Sequence, residues 1–341
     1  MVQLKKLDKK IVDQVDMKQP GMSRPALAYG VVAVYVIFMM LMPWVDLQGF
    51  EFVDRERYIN YFLYEDNILD YREFNGLVDY IKNEALWHYL IPLLKDGLSL
   101  GLNQIFFVIS VFCLTVFGLF MVRYQPPWAV FLMASPLMVT LAFSQLRMAL
   151  AYSLILLAYM VRRKFLVVLL VLPALFIHTS IAMFVALYIG MRIMERLYQK
   201  YWPNKIFITM ACVFFGASIS VAIGPLRDVI LGAIGDRRAD YGDASSSILY
   251  TLFWLGLLVA TLFQRGSYYK SEVNRYAIII LSLVSLNLLT GGYTLRFLSI
   301  GMPMIMSAML DMDKDKAGQV LVIYLAYLTF QWIYWAKVGF F

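Results

Sequence analysis

The chain has 341 residues, of which 61% are hydrophobic and 16% are charged, and its mean hydropathy is +0.69. Soluble domains carry about a quarter charged residues, so this composition excludes an ordinary soluble enzyme. The formal net charge of +7 does not indicate nucleic-acid binding, because the basic residues form short clusters between long apolar runs.

The apolar runs recur from residue 26 to the C-terminus, and they predict an all-α polytopic membrane protein. Only helices and closed barrels satisfy their backbone in lipid, and continuous rather than alternating apolar runs favour helices. Residues 1–25 are polar and lysine-rich, which indicates a cytoplasmic tail or, alternatively, an amphipathic surface helix. Residues 26–341 are expected to form one transmembrane domain. Cys113 and Cys212 lie inside apolar runs, without disulfide or metal-site spacing.

We predict about 11 transmembrane helices from apolar runs bounded by charged or turn residues. Several runs are shorter than the roughly 20 residues of a perpendicular span, which indicates bent or recessed helix ends. The predicted spans are 26–44, 102–122, 127–143, 146–161, 165–178, 179–194, 205–224, 247–264, 275–290, 295–310 and 319–338.

The distribution of Lys and Arg predicts the orientation of these spans. With the N-terminus in the cytoplasm, every inner connection carries positive charge. Residues 45–101 and 225–246 then become periplasmic loops. Residues 45–84 are acidic and rich in tyrosine, whereas 85–101 are apolar but too short to span, which predicts a re-entrant or interfacial helix.

Arg147 lies alone in an otherwise apolar stretch, FSQLRMALAYSLILLAYM. About 22 Å of helix separates it from Arg162, and about 21 Å of helix returns from Lys164 to His178. Arg147 and His178 should therefore lie at one depth near the outer face, where Arg296 begins the tenth span. Ionisable groups at membrane depth mark functional sites, although a single arginine can also extend to the headgroups and a histidine can cap a helix.

These residue types predict a site for a lipid phosphate or pyrophosphate. Arginine offers phosphate a planar fork of donors, and histidine can donate a hydrogen bond or accept a proton. A carboxylate within hydrogen-bond reach could serve as the base instead of His178. The outer loop offers sugar-stacking faces at Tyr58, Tyr61, Tyr64, Tyr71 and Tyr80. The second loop offers Arg237, Arg238 and Tyr241, either as contacts to the acceptor or as ordinary solvated residues.

The order of four short motifs resembles that of the EpsG/Wzy family of bacterial polysaccharide polymerases. The family pattern is an outer-loop D-xxx-Y, an E-P-L-like element, a turn ending R-Q-x-[IL]-A, H-x-S, and a late arginine similar to Arg296. The chain departs from it at Ala85, which replaces a proline, and at Met148, which replaces a glutamine. The matching segments are VDRERYINYF with Asp54 and Tyr58, NEALWHYL with Glu84 and Trp87, SQLRMALAY with Arg147, and IHTSIAMF with His178 and Ser180.

The resemblance implies a fold related to GT-C membrane glycosyltransferases and a place in the bacterial inner membrane. It implies polymerisation of undecaprenyl-pyrophosphate-linked oligosaccharide repeat units at the periplasmic face, without a cofactor or metal. The expected partners are the lipid-linked donor and acceptor, a chain-length regulator and a flippase. The sequence DMDKD at 311–315 contains a D-x-D, but we expect it to be a solvated cytoplasmic turn.

The resemblance implies substrate binding by Arg147, Arg296, Tyr58 and Ser180, and acid–base chemistry by His178, Asp54 or Glu84. The choice among these three stays open. The alternative functions are an O-antigen-type ligase, a lipid-linked oligosaccharide flippase and a membrane acyltransferase. A flippase should carry charges along a path through the membrane, whereas the unexplained charges here gather at one face.

Overall fold

The structure is a computed structural model that describes residues 25–64, 74, 76–161, 163–233, 235, 248–291 and 295–338. The described residues contain helices and connecting turns, and no β-strand is found among them. Except for Pro25, the predicted N-terminal tail lies outside this range. So do Arg237, Arg238 and Tyr241 of the second predicted loop.

The first half of the described chain follows the predicted pattern of helices closely. A helix occupies the predicted re-entrant element, and further short helices lie within the acidic loop. These elements are α1 (Pro25–Leu41), α2 (Trp44–Gln48), α3 (Val53–Tyr64), α4 (Leu77–Lys82), α5 (Ala85–Gly97), α6 (Leu102–Tyr124) and α7 (Pro136–Val139).

The second half contains helices at each remaining predicted span, with ends within a few residues of those expected. These elements are α8 (Leu146–Met160), α9 (Lys164–Ile177), α10 (Ile181–Leu197), α11 (Lys205–Ile223), α12 (Arg227–Ala233), α13 (Ile248–Leu262), α14 (Glu272–Thr290), α15 (Leu295–Leu310) and α16 (Lys314–Val338).

Four of the described helices are long and apolar enough to cross a membrane, namely α6, α11, α14 and α16. A bent pair of short helices between α6 and α8 could supply a fifth span. The apolar helices α1, α8, α9, α13 and α15 are shorter. Within its described residues, the structure therefore confirms an all-helical architecture with several candidate membrane spans, while the number of about 11 stays a prediction.

The predicted span over 127–143 is broken in the structure rather than formed by one helix. The chain forms a 3₁₀ helix at Pro127–Met133, then α7, then a π-helical turn at Thr140–Ser144, with a bend of 81° between the two parts. Ser135 is extended, with φ −129° and ψ 156°, because a residue before proline is disfavoured in the helical region. The Ser135 hydroxyl then caps the new helix by accepting the Met138 N–H at 3.4 Å.

Helix α14 is the most enclosed of the long helices, and α11 packs along it more extensively than any other pair of elements. Gly216 permits this approach. A Cβ atom at this position would lie 2.5 Å from the Ile279 carbonyl oxygen and 2.6 Å from the Ser282 Cβ. Small residues at helix interfaces allow such close backbone packing in membrane proteins.

Three aromatic rings join α8, α10 and α15 near the ends where these helices begin. The centroids of Tyr152 and Phe184 are 5.2 Å apart, and those of Phe184 and Phe297 are 5.9 Å apart. The first turns of three helices therefore meet at one end of the fold, and the predicted site residues lie there.

Candidate functional site

Glu84 lies at the centre of a cluster of polar side chains between α5, α8 and the turn before α10. Its carboxylate is buried, and one oxygen, Oε2, accepts a hydrogen bond from Nη1 of Arg147. The other oxygen, Oε1, accepts from the Thr179 N–H at 3.3 Å and from the Thr179 hydroxyl at 3.4 Å. Nδ1 of His178 lies 3.6 Å from the same oxygen. The cluster thus joins three segments that are far apart in sequence.

Arg147 is held on two sides by side chains from other segments. Its Nε donates to the Tyr58 hydroxyl at 3.1 Å, and its guanidinium lies 5.1 Å from the centre of the Tyr58 ring. Nη1 donates to Glu84, while no hydrogen bond to Nη2 is present among the described residues. The side chain retains 28% exposure. Within the described part of the chain, Arg147 therefore has fixed partners on Nε and Nη1, while Nη2 keeps donors that no described residue uses.

His178 lies in the turn between α9 and α10, and Ser180 orients its ring. The Ser180 N–H donates to Nδ1 at 3.2 Å, and the Ser180 hydroxyl lies 2.9 Å from the same nitrogen. Because Nδ1 accepts an amide proton, the neutral ring carries its own proton on Nε2. Ser180 therefore helps to fix the orientation of the His178 ring.

Helix α3 brings Asp54 and Tyr58 to the site one turn apart, so both lie on the same face. Oδ2 of Asp54 is 3.9 Å from Nη2 of Arg296, and Oδ1 is 4.0 Å from Arg57. Burial raises the pKa of Tyr58 above its ordinary value, although nearby Arg147 lowers it in part. The phenol therefore stays protonated at neutral pH. Helix α3 connects the two predicted arginines, Arg147 through Tyr58 and Arg296 through Asp54.

The electrostatics of the site favour an anion. Arg147 is the second residue of α8 and Arg296 is the second residue of α15. A helix N-terminus carries about half a positive charge, so a cation there is unfavourable unless an anion compensates it. The α10 N-terminus follows the His178–Ser180 turn at the same place. Glu84 and Asp54 offset part of this positive charge, and two arginines with three helix ends suit a ligand with several negative charges.

A family model for the EpsG family matches residues 31–340. The chain belongs to the EpsG family. This confirms the resemblance stated from the sequence motifs, and it indicates a polysaccharide polymerase with glycosyltransferase-like activity at a membrane. No curated protein and no solved structure shows significant similarity to the chain.

The matched region of this EpsG-family chain includes every residue of the polar cluster. The structure brings Arg147, Tyr58, Glu84, His178 and Ser180 into one connected group, and it places Asp54 and Arg296 beside that group. Arg237, Arg238 and Tyr241 lie outside the described residues. A Cβ at Gly235, shortly before them, would lie 3.7 Å from Nζ of Lys82.

Sequence reasoning missed Thr179 in this EpsG-family site. Its amide and hydroxyl both donate to Glu84, and its hydroxyl also lies 3.2 Å from the Ile81 carbonyl oxygen. The only sequence signal was its position between His178 and Ser180, because nothing in the motif shows where a threonine hydroxyl will point. Among the described residues, no group of three or more His, Cys, Asp or Glu side chains could hold a metal ion.

Proposed function

We propose that this EpsG-family chain is a membrane glycosyltransferase that polymerises undecaprenyl-pyrophosphate-linked oligosaccharide repeat units at the periplasmic face of the bacterial inner membrane. One observation carries the proposal. Arg147 and Arg296, each in the first turn of a helix, approach one face of α3 at positions about 6 Å apart along its axis.

A pyrophosphate suits this arrangement because it carries several negative charges on two adjacent phosphates. Nη2 of Arg147 and the 45%-exposed side chain of Arg296 would supply donors in planar forks. Nε2 of His178 would donate a third hydrogen bond. Preorganised donors of this kind stabilise charge that develops in a transition state, here on the departing pyrophosphate.

In the proposed reaction, a sugar hydroxyl of the acceptor unit attacks the anomeric carbon of the donor chain. A new C–O bond forms, and the C–O bond to the pyrophosphate breaks. The electron pair leaves with undecaprenyl pyrophosphate, and the hydroxyl proton passes to a base. We assign this base to Asp54, because its contacts with Arg296 and Arg57 are long and its side chain is 24% exposed.

The proposed reaction needs no metal ion, since the arginines and helix ends supply the positive charge that a cation would otherwise supply. The proposal includes a fold related to the GT-C glycosyltransferases, with the donor lipid held in the membrane beside the site. The family's identity as polysaccharide polymerases supports this reading over a transporter.

The test uses full-length protein in nanodiscs with purified lipid-linked repeat units. We expect a ladder of polymer lengths that persists in excess EDTA, and loss of the ladder in an Arg147→Ala, Arg296→Ala double variant. A single transfer per acceptor would instead indicate a ligase. Movement of the lipid-linked unit across the bilayer without a new glycosidic bond would indicate a flippase, and inhibition by EDTA would overturn the metal-independent chemistry.

A further inference from the structure

We infer that Glu84 is a positioning residue, which holds Arg147 and the His178–Ser180 turn in one arrangement around the donor pyrophosphate. The inference rests on the proposed function and deepens it. It gives Glu84 a role that differs from the base that the sequence motifs suggested.

The Glu84 carboxylate is already surrounded by hydrogen-bond donors. Nη1 of Arg147 donates to Oε2, the Thr179 N–H donates to Oε1, and the single Thr179 hydroxyl proton is shared between Oε1 and the Ile81 carbonyl oxygen. The Glu84 side chain is 6% exposed. Three donors already lie within hydrogen-bond distance of the two carboxylate oxygens, so a substrate hydroxyl would have little room to approach Glu84 in this buried site. The geometry therefore suits a carboxylate that holds its neighbours in place.

The backbone at Glu84 is also constrained by its neighbours. Glu84 immediately precedes α5 in a left-handed conformation, with φ 53° and ψ 43°, which residues other than glycine seldom adopt. The Ile81 carbonyl oxygen accepts from the Glu84 N–H at 3.0 Å and from the Thr179 hydroxyl at 3.2 Å. The α4–α5 turn is thus tied to the α9–α10 turn through both backbone and side chain. Unfavourable backbone conformations persist where surrounding contacts over-determine them.

The contacts of Glu84 and Tyr58 fix the direction of the Arg147 guanidinium. Glu84 fixes Nη1 and Tyr58 fixes Nε, so the planar guanidinium has one orientation and Nη2 one direction. The same carboxylate fixes Thr179, which lies next to His178 in the chain. Without Glu84, Arg147 and His178, which we assign to the pyrophosphate, would lose the one side chain that positions both of them.

The experiment compares Glu84→Gln with the wild type in two measurements, affinity for inorganic pyrophosphate by calorimetry and the pH dependence of kcat/KM for polymerisation. Gln keeps the size of the side chain but loses its charge and replaces one acceptor with a donor. We expect pyrophosphate affinity to fall roughly 10- to 100-fold, the range for a lost hydrogen bond to a charged group. The acidic limb of the pH profile should remain, since Asp54 is the base.

The matched control is Glu195→Gln, which also removes a carboxylate paired with an arginine, at 2.9 Å from Arg192. It should bind pyrophosphate as the wild type does. If Glu84→Gln keeps wild-type pyrophosphate affinity, or loses the acidic limb of the profile, the inference is overturned.

A second variant is used if Glu84→Gln does not fold, as judged by size-exclusion chromatography in detergent. Thr179→Val removes only the hydroxyl that reaches Glu84 and Ile81. It should weaken pyrophosphate binding several-fold with an intact acidic limb, and unchanged affinity would overturn the inference. If the wild-type protein neither binds pyrophosphate nor forms polymer, the proposed function itself is refuted. If the wild type is active and the Glu84 variant is unaffected, only the inference about Glu84 is refuted.

Discussion

Arg147 shows at the scale of one residue how a locally unfavourable choice can indicate a site. A cation in the first turn of α8 opposes the helix dipole, and an acidic residue would be the stabilising choice there. Glu84 and Tyr58 offset part of this cost by holding Nη1 and Nε. Violations of a local rule concentrate at functional sites, and Arg296 in the first turn of α15 repeats the pattern.

Replacing Arg147 with lysine tests the guanidinium fork directly. Lysine keeps the charge but has one nitrogen in place of the three separated nitrogens that would reach Glu84, Tyr58 and a phosphate, so we expect the polymerisation rate to fall by about 10²–10³. The measurement is kcat with purified lipid-linked units. Arg192→Lys, a change in an ion-paired arginine outside the cluster, is the control and should keep normal turnover. Full activity of Arg147→Lys would mean that a point charge is sufficient.

The roles of His178 and Asp54 are separated by paired substitutions. His178→Gln retains a hydrogen-bond donor, so we expect about a tenfold loss with the shape of the pH profile unchanged. Asp54→Asn removes the assigned base, which should lower the rate by roughly 10²–10⁴ and abolish the acidic limb. The pH dependence of kcat/KM for both variants decides the assignment. An acidic limb that disappears only in His178→Gln would make the imidazole the base.

At the scale of elements, the broken segment between α6 and α8 determines where Arg147 lies. Pro136 ends any continuous helix, and the following π turn brings α8 to its start at Leu146. Unusual helical turns of this kind are frequent at functional sites. Helix α14, which packs closely against α11, also packs against α15, the helix that carries Arg296.

Gly216 should be intolerant of a methyl group because of that close contact. Gly216→Ala places Cβ against the backbone of α14, and such overpacking costs about 1–3 kcal/mol of the free energy of unfolding. Gly256→Ala is the matched control, since no atom lies within 4 Å of its Cβ position. That change should be neutral or stabilising by up to about 1 kcal/mol through helix propensity. Thermal unfolding midpoints in detergent provide the comparison, and equal midpoints would refute the packing argument.

On the scale of the whole molecule, two clusters of charge lie near opposite ends of α8 and α10. Nη2 of Arg192 is 2.7 Å from Oε1 of Glu272, and the Tyr159 hydroxyl donates to the other Glu272 oxygen at 3.3 Å. Tyr159 follows Arg147 along α8 by about 18 Å. The polar cluster around Glu84 and this ion-paired cluster are therefore separated by about the depth of a short membrane span.

The orientation that the basic loops predict for the molecule in the membrane has a direct test. A reporter fused after Lys200 should be cytoplasmic, and one inserted within 225–246 should be periplasmic, because the connections near Lys200 are basic. Alkaline phosphatase activity, which requires the periplasm, distinguishes the two. The reverse pattern would place the polar cluster on the cytoplasmic side and remove the proposed periplasmic reaction.

The sequence by itself determined where most of the apolar helices lie and end, because apolar runs, prolines and terminal charges act locally. Apart from the helix expected over 85–101, it did not define the short helices within the two predicted loops. It also identified Arg147, His178 and Arg296 as unusual, since each places an ionisable group at the edge of an apolar run. The sequence did not reveal the break within 127–143. A continuous apolar run hides such a break, and only Pro136 marked it.

Only the tertiary structure decided which side chains meet. Glu84 contacts Arg147 across 63 residues and Thr179 across 95, and these contacts exist because the turns before α5, α8 and α10 pack at one end of the bundle. A motif shows that a carboxylate is present, but its role depends on how many donors already surround it. Whether Glu84 acts as a base or as an anchor therefore depends on how the helix ends pack around it. The linear sequence pattern does not contain that information.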